Sequence, residues 1–191
     1  MSGRDLTRRQ LFGLFRLRPE PAAPPPRPLR HPGLPPPLRP PGALDEERLA
    51  DTCRRCGECV RACPVGAILP LGEEYGPWAG TPHIVARKQP CVICEGLRCT
   101  AVCPTGALRP LAAPAEVAMG HAFRDWQRCQ AFWGTPCDDC RRACPVPGAI
   151  YVDSHDHPHV DTLVCVGCGR CEQACPMEPP AIVVRPATEQ G

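Results

Sequence analysis

Residues 53–64 read CRRCGECVRACP, with cysteines at positions 53, 56, 59 and 63 and a proline directly after the last one. Three variants of this segment follow, and every cysteine of the chain belongs to one of the four copies. Each copy ends in Cys-Pro, and the spacings are Cys53-x2-Cys56-x2-Cys59-x3-Cys63, Cys91-x2-Cys94-x4-Cys99-x3-Cys103, Cys129-x7-Cys137-x2-Cys140-x3-Cys144 and Cys165-x2-Cys168-x2-Cys171-x3-Cys175. We therefore expect the fold to be organised around these four loops.

The spacing within each copy is typical of iron–sulfur ligation. Three closely spaced cysteines can surround one face of a cubane cluster, while the amides of the loop point towards its sulfides. In two-cluster proteins with this motif, the cysteine before the proline binds the other cluster of the pair. The proline ends the helix that carries this cysteine and turns the chain away. The sequence therefore predicts [4Fe–4S] clusters with cysteine ligands.

Two pairings of the copies are open from the sequence. Sequential pairing, which we favour, gives four sites: site I (Cys53, Cys56, Cys59, Cys103), site II (Cys91, Cys94, Cys99, Cys63), site III (Cys129, Cys137, Cys140, Cys175) and site IV (Cys165, Cys168, Cys171, Cys144). A nested arrangement would instead join the first copy to the fourth and the second to the third. Both schemes use the same cysteines. The long gap of the third copy contains Phe132 and Trp133, which could shield a cluster from water.

Zinc and disulfides are the alternative uses of so many thiols. Zinc sites pair two Cys-x2-Cys turns across a longer gap, which differs from three cysteines in one loop followed by Cys-Pro. Cysteines three residues apart rarely all find separate distant partners, which argues against disulfides. We therefore favour iron–sulfur ligation over both alternatives.

The flanking residues predict an α+β fold. Only 43% of the residues are apolar and 5% are aromatic, so a modest core must be held together by bound groups. Each copy is followed by alanine and a branched aliphatic residue, and extended runs at 82–86 and 158–161 precede the second and fourth copies. We predict two ferredoxin-like modules, 44–112 and 113–191, each a small antiparallel sheet with short helices around two [4Fe–4S] clusters.

Residues 1–43 are expected to form a basic, disordered tail. Eight arginines stand against two acidic residues, and twelve prolines between Pro19 and Pro41 favour a polyproline-like tether. The start at Leu6 resembles a twin-arginine export signal, but Arg16 and Arg18 interrupt the apolar segment that such a signal requires. We therefore expect a cytoplasmic location, with periplasmic export by the twin-arginine route as the alternative.

The remaining features favour an electron carrier over an enzyme. The sequence contains no Gly-rich phosphate loop and no Ser/His/Asp grouping. We expect no nucleic-acid partner, since the basic tail lacks interleaved aromatic residues, and only peripheral membrane contact. The histidines of the HDHPH segment at 155–159 are expected to form a polar turn. Six arginines near the loops could offset cluster charge: Arg54, Arg55, Arg61, Arg141, Arg142 and Arg170.

From Leu38 to Val184 the chain resembles the ferredoxin-type NapG/MauM family of periplasmic nitrate reductase and methylamine-utilisation systems. The matching segments are CRRCGEC at 53–59, GTPHIVAR at 80–87, CVICEGLRC at 91–99, the long-gap third copy and CVGCGRC at 165–171. The resemblance implies four [4Fe–4S] clusters with all 16 cysteines as ligands.

The same resemblance implies redox partners. They would be a molybdenum oxidoreductase and a quinol-oxidising membrane donor, between which the protein would relay single electrons. The amino-terminal segment is similar to that of NapF-type relatives, which lack a full export signal. This similarity implies the alternative function of a cytoplasmic maturation or assembly factor for a molybdenum reductase.

Overall fold

The computed structural model describes residues 33–187. The twin-arginine-like segment and most of the proline-rich tail lie outside these residues. The described part contains the α-helices α1 (Glu46–Thr52), α2 (Glu58–Ala62), α3 (Arg98–Ala101), α4 (Asp139–Ala143) and α5 (Arg170–Ala174), and the strands β1 (Ile68–Pro70), β2 (Pro82–Ile84), β3 (Gly120–Arg124), β4 (Ile150–Val152), β5 (Pro158–Val160) and β6 (Ile182–Pro186). Among these helices, none is long and apolar enough to cross a membrane. This mixture of short helices and small antiparallel sheets confirms the predicted α+β class.

Three two-stranded antiparallel sheets join the strands. β1 pairs with β2 and β4 pairs with β5, so each forms a hairpin, whereas β3 pairs with the distant β6. The hairpin strands β2 and β5 lie within the extended runs that the sequence indicated. β3 was not predicted, because its segment GHAFR contains too few branched residues to show a strand pattern.

The two halves of the described chain are built alike. Next to the β1–β2 hairpin, α2 packs against α3, and next to the β4–β5 hairpin, α4 packs against α5. The β3–β6 sheet of the second half corresponds in the first half to a single antiparallel bridge between Ala43 and Leu108. The first half therefore has one bridge where the second half has a sheet.

The Cys-Pro pairs set the ends of three helices. Cys63, Cys144 and Cys175 follow α2, α4 and α5 with extended backbone angles. A residue before proline is pushed out of the helical region because the proline ring clashes with its backbone. The cysteine side chain therefore leaves the helix in a new direction, as the fourth-ligand role requires.

The described end of the predicted tail belongs to the folded part. Leu38 forms a bridge with Ile84, and Pro40 and Pro41 are fully buried. The Arg39 guanidinium is buried, where it forms an ion pair with Glu46 and donates to Thr81 Oγ1 and to the Pro82 carbonyl. Prolines have no N–H group, so they can be buried without leaving a donor unsatisfied. The boundary of the folded part therefore lies before Leu38, and not after residue 43.

The two halves share a close interface. The Arg87 guanidinium of the first half donates to backbone carbonyls of the second half at the end of α5, those of Glu172, Cys175 and Met177 among them, over 2.8–3.3 Å. The Cys91 amide donates to the Cys168 carbonyl at 3.0 Å. These bonds satisfy carbonyls that the end of α5 leaves free. The interface thus holds the loops of the second and fourth copies against each other.

Candidate metal centres

All 16 cysteines lie in the described residues, and all of them are free thiols. The disulfide alternative is therefore not realised in this fold. Zinc is also disfavoured, because a zinc ion needs ligand atoms converging to about 2.0–2.3 Å from one point. In the range 33–187 no group of three or more His, Cys, Asp or Glu side chains converges on a single-ion site. Four thiols around a cubane stand further apart than four thiols around one ion.

Three cavities are each lined by four cysteines, and in each the four come from two copies of the motif. The first cavity is lined by Cys53, Cys56, Cys59 and Cys103, the second by Cys63, Cys91, Cys94 and Cys99, and the third by Cys129, Cys137, Cys140 and Cys175. Together with the open space at their mouths, they contain about 850, 350 and 340 Å³ free of protein atoms, respectively. These groupings coincide with sites I, II and III of the sequential scheme.

The fourth grouping is visible around Cys171. Burial is the largest cause of the raised pKa of this thiol. The thiolate charges of Cys168, Cys165, Cys140 and Cys144 raise this pKa further. Three of these neighbours, together with Cys171, are the cysteines of site IV. The structure thus brings twelve of the predicted residues together around three cavities, and the charges of Cys144, Cys165 and Cys168 act on Cys171.

Burial and crowding disfavour ionisation of these thiols. Burial is the largest cause that raises the pKa of Cys59, Cys91 and Cys140 to about 11 and that of Cys99 to about 12. Neighbouring cysteine charges add to the shift in each case. Metal binding requires the thiolate, so a positively charged iron core would relieve both penalties. The donor set therefore fits an iron–sulfur group.

Backbone amides support thiolates of the first, second and fourth copies. N–H groups lie 3.2–3.4 Å from cysteine sulfurs in six places: Arg55 to Cys53, Ile93 to Cys91, Ala67 to Cys63, Leu108 to Cys103, Ala122 to Cys165 and Ala181 to Cys175. At Cys103 burial opposes ionisation, but bonds from the Leu108 amide and from Thr105 outweigh it, and the pKa falls below its ordinary value. Donors directed at sulfur favour the charged form.

Interactions between cysteines of different groups, together with the bond from the Cys91 amide to the Cys168 carbonyl, indicate the order I, II, IV, III. The charge of Cys59 raises the pKa of Cys99, which links site I to site II. The Cys168 charge reaches Cys91, which joins site II to site IV across the interface of the two halves. The Cys140 charge reaches Cys171, which joins site IV to site III. Sites I and III therefore lie at the two ends.

The two ends differ in exposure. Cys56 of site I is exposed, whereas Cys129 and Cys175 of site III are buried. Phe132 packs against the core around site III, as expected for a residue that excludes water. Trp133 is 70% exposed, so the shielding role predicted for it is not seen.

Several of the arginines singled out in the sequence already have other partners. The Arg55 guanidinium donates to the Ala79 and Pro77 carbonyls, and Arg61 pairs with Glu58. Arg141 and Arg142 form ion pairs with Asp138 and Asp139. The arginine that lines the cavity of site III is Arg124, which the sequence did not indicate. It lies in β3, the strand that the sequence pattern also missed, so no local signal could have found it.

The histidines at 155–159 form the polar turn between β4 and β5. Asp153 accepts bonds from the His159 ring and from the amides of His157 and His155, all at 2.9 Å. The bond from His159, followed by these amide bonds, lowers the pKa of Asp153 below its ordinary range. The His157 ring stacks on Phe132 with a centroid distance of 4.1 Å. These contacts account for the histidines as structural residues of the hairpin.

Comparisons with known proteins agree with this chemistry. Residues 52–107 match the family model of a 4Fe-4S dicluster domain, and residues 156–177 match that of a 4Fe-4S binding domain. The first match contains all the cysteines of sites I and II.

The similarity to curated proteins extends over most of the chain. The ferredoxin-type protein NapG of Escherichia coli is 41% identical over 162 residues, which cover 78% of this chain and 70% of that protein. The methylamine utilization ferredoxin-type protein MauM of Methylobacillus flagellatus is 39% identical, covering 96% of this chain and 81% of that protein. The ferredoxin-type protein NapF of E. coli is more distant, at 27% identity over 73% of this chain. The chain therefore belongs to the ferredoxin-type NapG/MauM family of 4Fe-4S electron-transfer proteins.

Proposed function

We propose that the chain binds four [4Fe–4S] clusters, with all 16 cysteines as ligands in the sequential scheme of sites I to IV. The observation that carries the proposal is the set of three cavities, each lined by three cysteines of one copy and the Cys-Pro cysteine of its neighbour. The nested scheme would place these cysteines in other groups. The matching construction of the two halves supports two ferredoxin-like modules, one around sites I and II and one around sites III and IV.

The function that we infer is a one-electron relay without substrate chemistry of its own. A bound [4Fe–4S] cluster supplies a centre that takes up and releases one electron. The thiols hold each centre, the loop amides stabilise negative charge on sulfur, and buried apolar residues such as Ile68 and Ile182 exclude water. The order I, II, IV, III gives the relay two ends for a donor and an acceptor.

For partners we propose a molybdenum oxidoreductase as acceptor and a quinol-oxidising membrane protein as donor, with no more than peripheral membrane contact. We place the protein in the cytoplasm, and the periplasm is the alternative if the amino-terminal segment directs export. The similarity to NapF favours a second candidate function, a maturation or assembly factor for a molybdenum reductase.

Cluster content is the first test. Protein purified without oxygen is expected to be brown and to contain about 16 iron and 16 acid-labile sulfide atoms, four of each per cluster. Colourless protein with iron and sulfide far below this content would contradict the proposal.

Electron delivery separates the two candidate functions. The dithionite-reduced protein is mixed anaerobically with the mature molybdenum reductase of its own organism, and its visible absorption is followed. A relay is reoxidised when the reductase's substrate is added. A maturation factor would instead bind the cofactor-free reductase and show no substrate-dependent reoxidation.

A further inference from the structure

Arg124 has an unusual position at the end of β3. Its side chain lines the cavity formed by the four cysteines of site III. Its Nε and Nη1 atoms are buried and have no hydrogen-bond partner among residues 33–187. A buried charged donor without an acceptor costs free energy, and natural proteins rarely leave one in that state. An acceptor is therefore expected inside the cavity.

An aromatic contact holds the guanidinium in place. Its central carbon lies 4.4 Å from the centre of the Phe132 ring, in a cation–π contact. Phe132 in turn stacks on His157. The side chain is thus placed by packing, while its Nε and Nη1 donors have no acceptor among residues 33–187.

Site I has arginines around its cavity as well, but they differ from Arg124. Arg54, Arg55 and Arg61 are exposed, so solvent screens their charge. The guanidiniums of Arg55 and Arg61 also donate to backbone carbonyls. Only at site III does the described part of the chain combine buried arginine nitrogens with a cavity of four cysteines and no protein acceptor.

We propose that Arg124 donates hydrogen bonds to the iron–sulfur group of site III and raises its reduction potential. The inference rests on the cluster assignment made above and goes beyond it, because it assigns a role to a residue that is not a ligand. Reduction adds negative charge to the group, and a buried cationic donor interacts more strongly with the reduced form. Hydrogen bonds to cluster sulfurs are an established determinant of potential.

Because of the position of site III, Arg124 would affect where the electron resides along the relay. Site III is one end of the order I, II, IV, III, so a raised potential there favours the electron at that end. Arg124 would therefore favour movement of the electron towards site III.

Arg124→Gln tests the proposal in the intact, cluster-loaded protein. Midpoint potentials are measured by mediated titration with dithionite, followed by electron paramagnetic resonance. At a fixed applied potential, the ratio of reduced to oxidised site III is expected to fall about tenfold, which corresponds to about 59 mV for a one-electron couple. The signal that shifts is identified as the one altered by Cys137→Ala.

Arg185→Gln is the matched control. Arg185 also lies at the end of a strand with its guanidinium 4.6 Å from a phenylalanine ring, that of Phe123, but it is exposed and lines none of the three cavities. This variant should leave all potentials unchanged. Arg124→Lys keeps the charge with different donor geometry, and it should give a smaller shift than Arg124→Gln.

The outcomes separate the two proposals. Full iron content with unchanged potentials in both Arg124 variants would overturn the role of Arg124 and leave the cluster assignment intact. If Arg124→Gln loses iron from one site only and Arg124→Lys retains it, the result supports the role of Arg124, because the positive charge then stabilises the iron–sulfur group. Absence of iron from the unmodified protein would instead overturn the cluster assignment.

Discussion

At the scale of single residues, the surroundings of a cysteine decide how readily its thiol ionises. A thiol such as Cys99 is buried and lies among other thiols, so burial and repulsion raise its pKa to about 12. A thiol such as Cys103 receives backbone donors and has a lowered pKa. In site I, Cys103 lies with Cys59, whose pKa is raised to about 11. Such a mixture suits a bound cationic core better than free thiols.

Replacing Cys63 distinguishes the two pairing schemes. Cys63 belongs to the first copy, but it lines the cavity of site II together with Cys94. We expect Cys63→Ala and Cys94→Ala to alter the same one of the four paramagnetic signals, because both remove a ligand of site II. If Cys63→Ala instead alters the signal that is sensitive to Cys168→Ala, the nested scheme is correct.

At the scale of elements, Cys-Pro pairs end three of the described helices. The interface between the halves depends on close backbone contact. Gly169, before α5, has a φ of +86°. A Cβ atom added there would lie 2.5 Å from the Cβ of Ala86 in the other half. Gly169 is therefore required both by the turn before α5 and by the close approach of the two halves.

Gly169→Ala is expected to destabilise the cluster-loaded protein by about 2–3 kcal/mol, from backbone strain together with overpacking. Gly148→Ala is the matched control, since Gly148 has a φ of +79° and open space around its added Cβ. It should cost only about 1 kcal/mol from strain. The measurement is the anaerobic midpoint of urea unfolding. Equal losses for the two variants would show that the contact with Ala86 does not limit the interface.

Arg87 provides a second test of the interface. Arg87→Ala removes bonds to several carbonyls at the end of α5 and leaves them without a protein donor. We expect a loss of about 2–4 kcal/mol in unfolding free energy by the same measurement. Arg48→Ala, which breaks an exposed ion pair with Asp45, should cost less than about 1 kcal/mol. A similar loss in both variants would mean that the Arg87 bonds contribute no more than a surface pair.

At the scale of the whole molecule, cysteines are part of both apolar cores. The first core includes most thiols of sites I and II together with Cys168 of site IV, and the second includes the thiols of site III and the other three of site IV. The cavities at sites I, II and III lie within this packing. Removing the bound groups would leave these cavities empty and their thiols crowded.

Apo protein is therefore expected to lose most of its fold, because cluster binding supplies much of the folding free energy. Circular dichroism is compared before and after anaerobic reconstitution with iron and sulfide. The signal of ordered structure should appear only on reconstitution. A native-like spectrum of the apo protein would contradict this expectation.

The sequence by itself determined the chemistry and the local geometry. The spacing of three cysteines in one loop, such as Cys53 to Cys59, is a property of consecutive residues, and so is the end of a helix before Pro64. For this reason the cysteines, the helix ends and the hairpin strands could be predicted. The resemblance carried by the same motifs indicated the family.

Only the tertiary structure decided which cysteines meet. Cys103 completes the cavity that begins with Cys53, and Cys91 meets Cys168 across the interface of the two halves. The sequence favoured the grouping of Cys103 with Cys53 without deciding it, and it gave no signal for the burial of residues 38–41 or for the position of Arg124 against site III. These features depend on contacts between residues far apart in the chain. Long-range packing selects such contacts, and no spacing along the sequence encodes them.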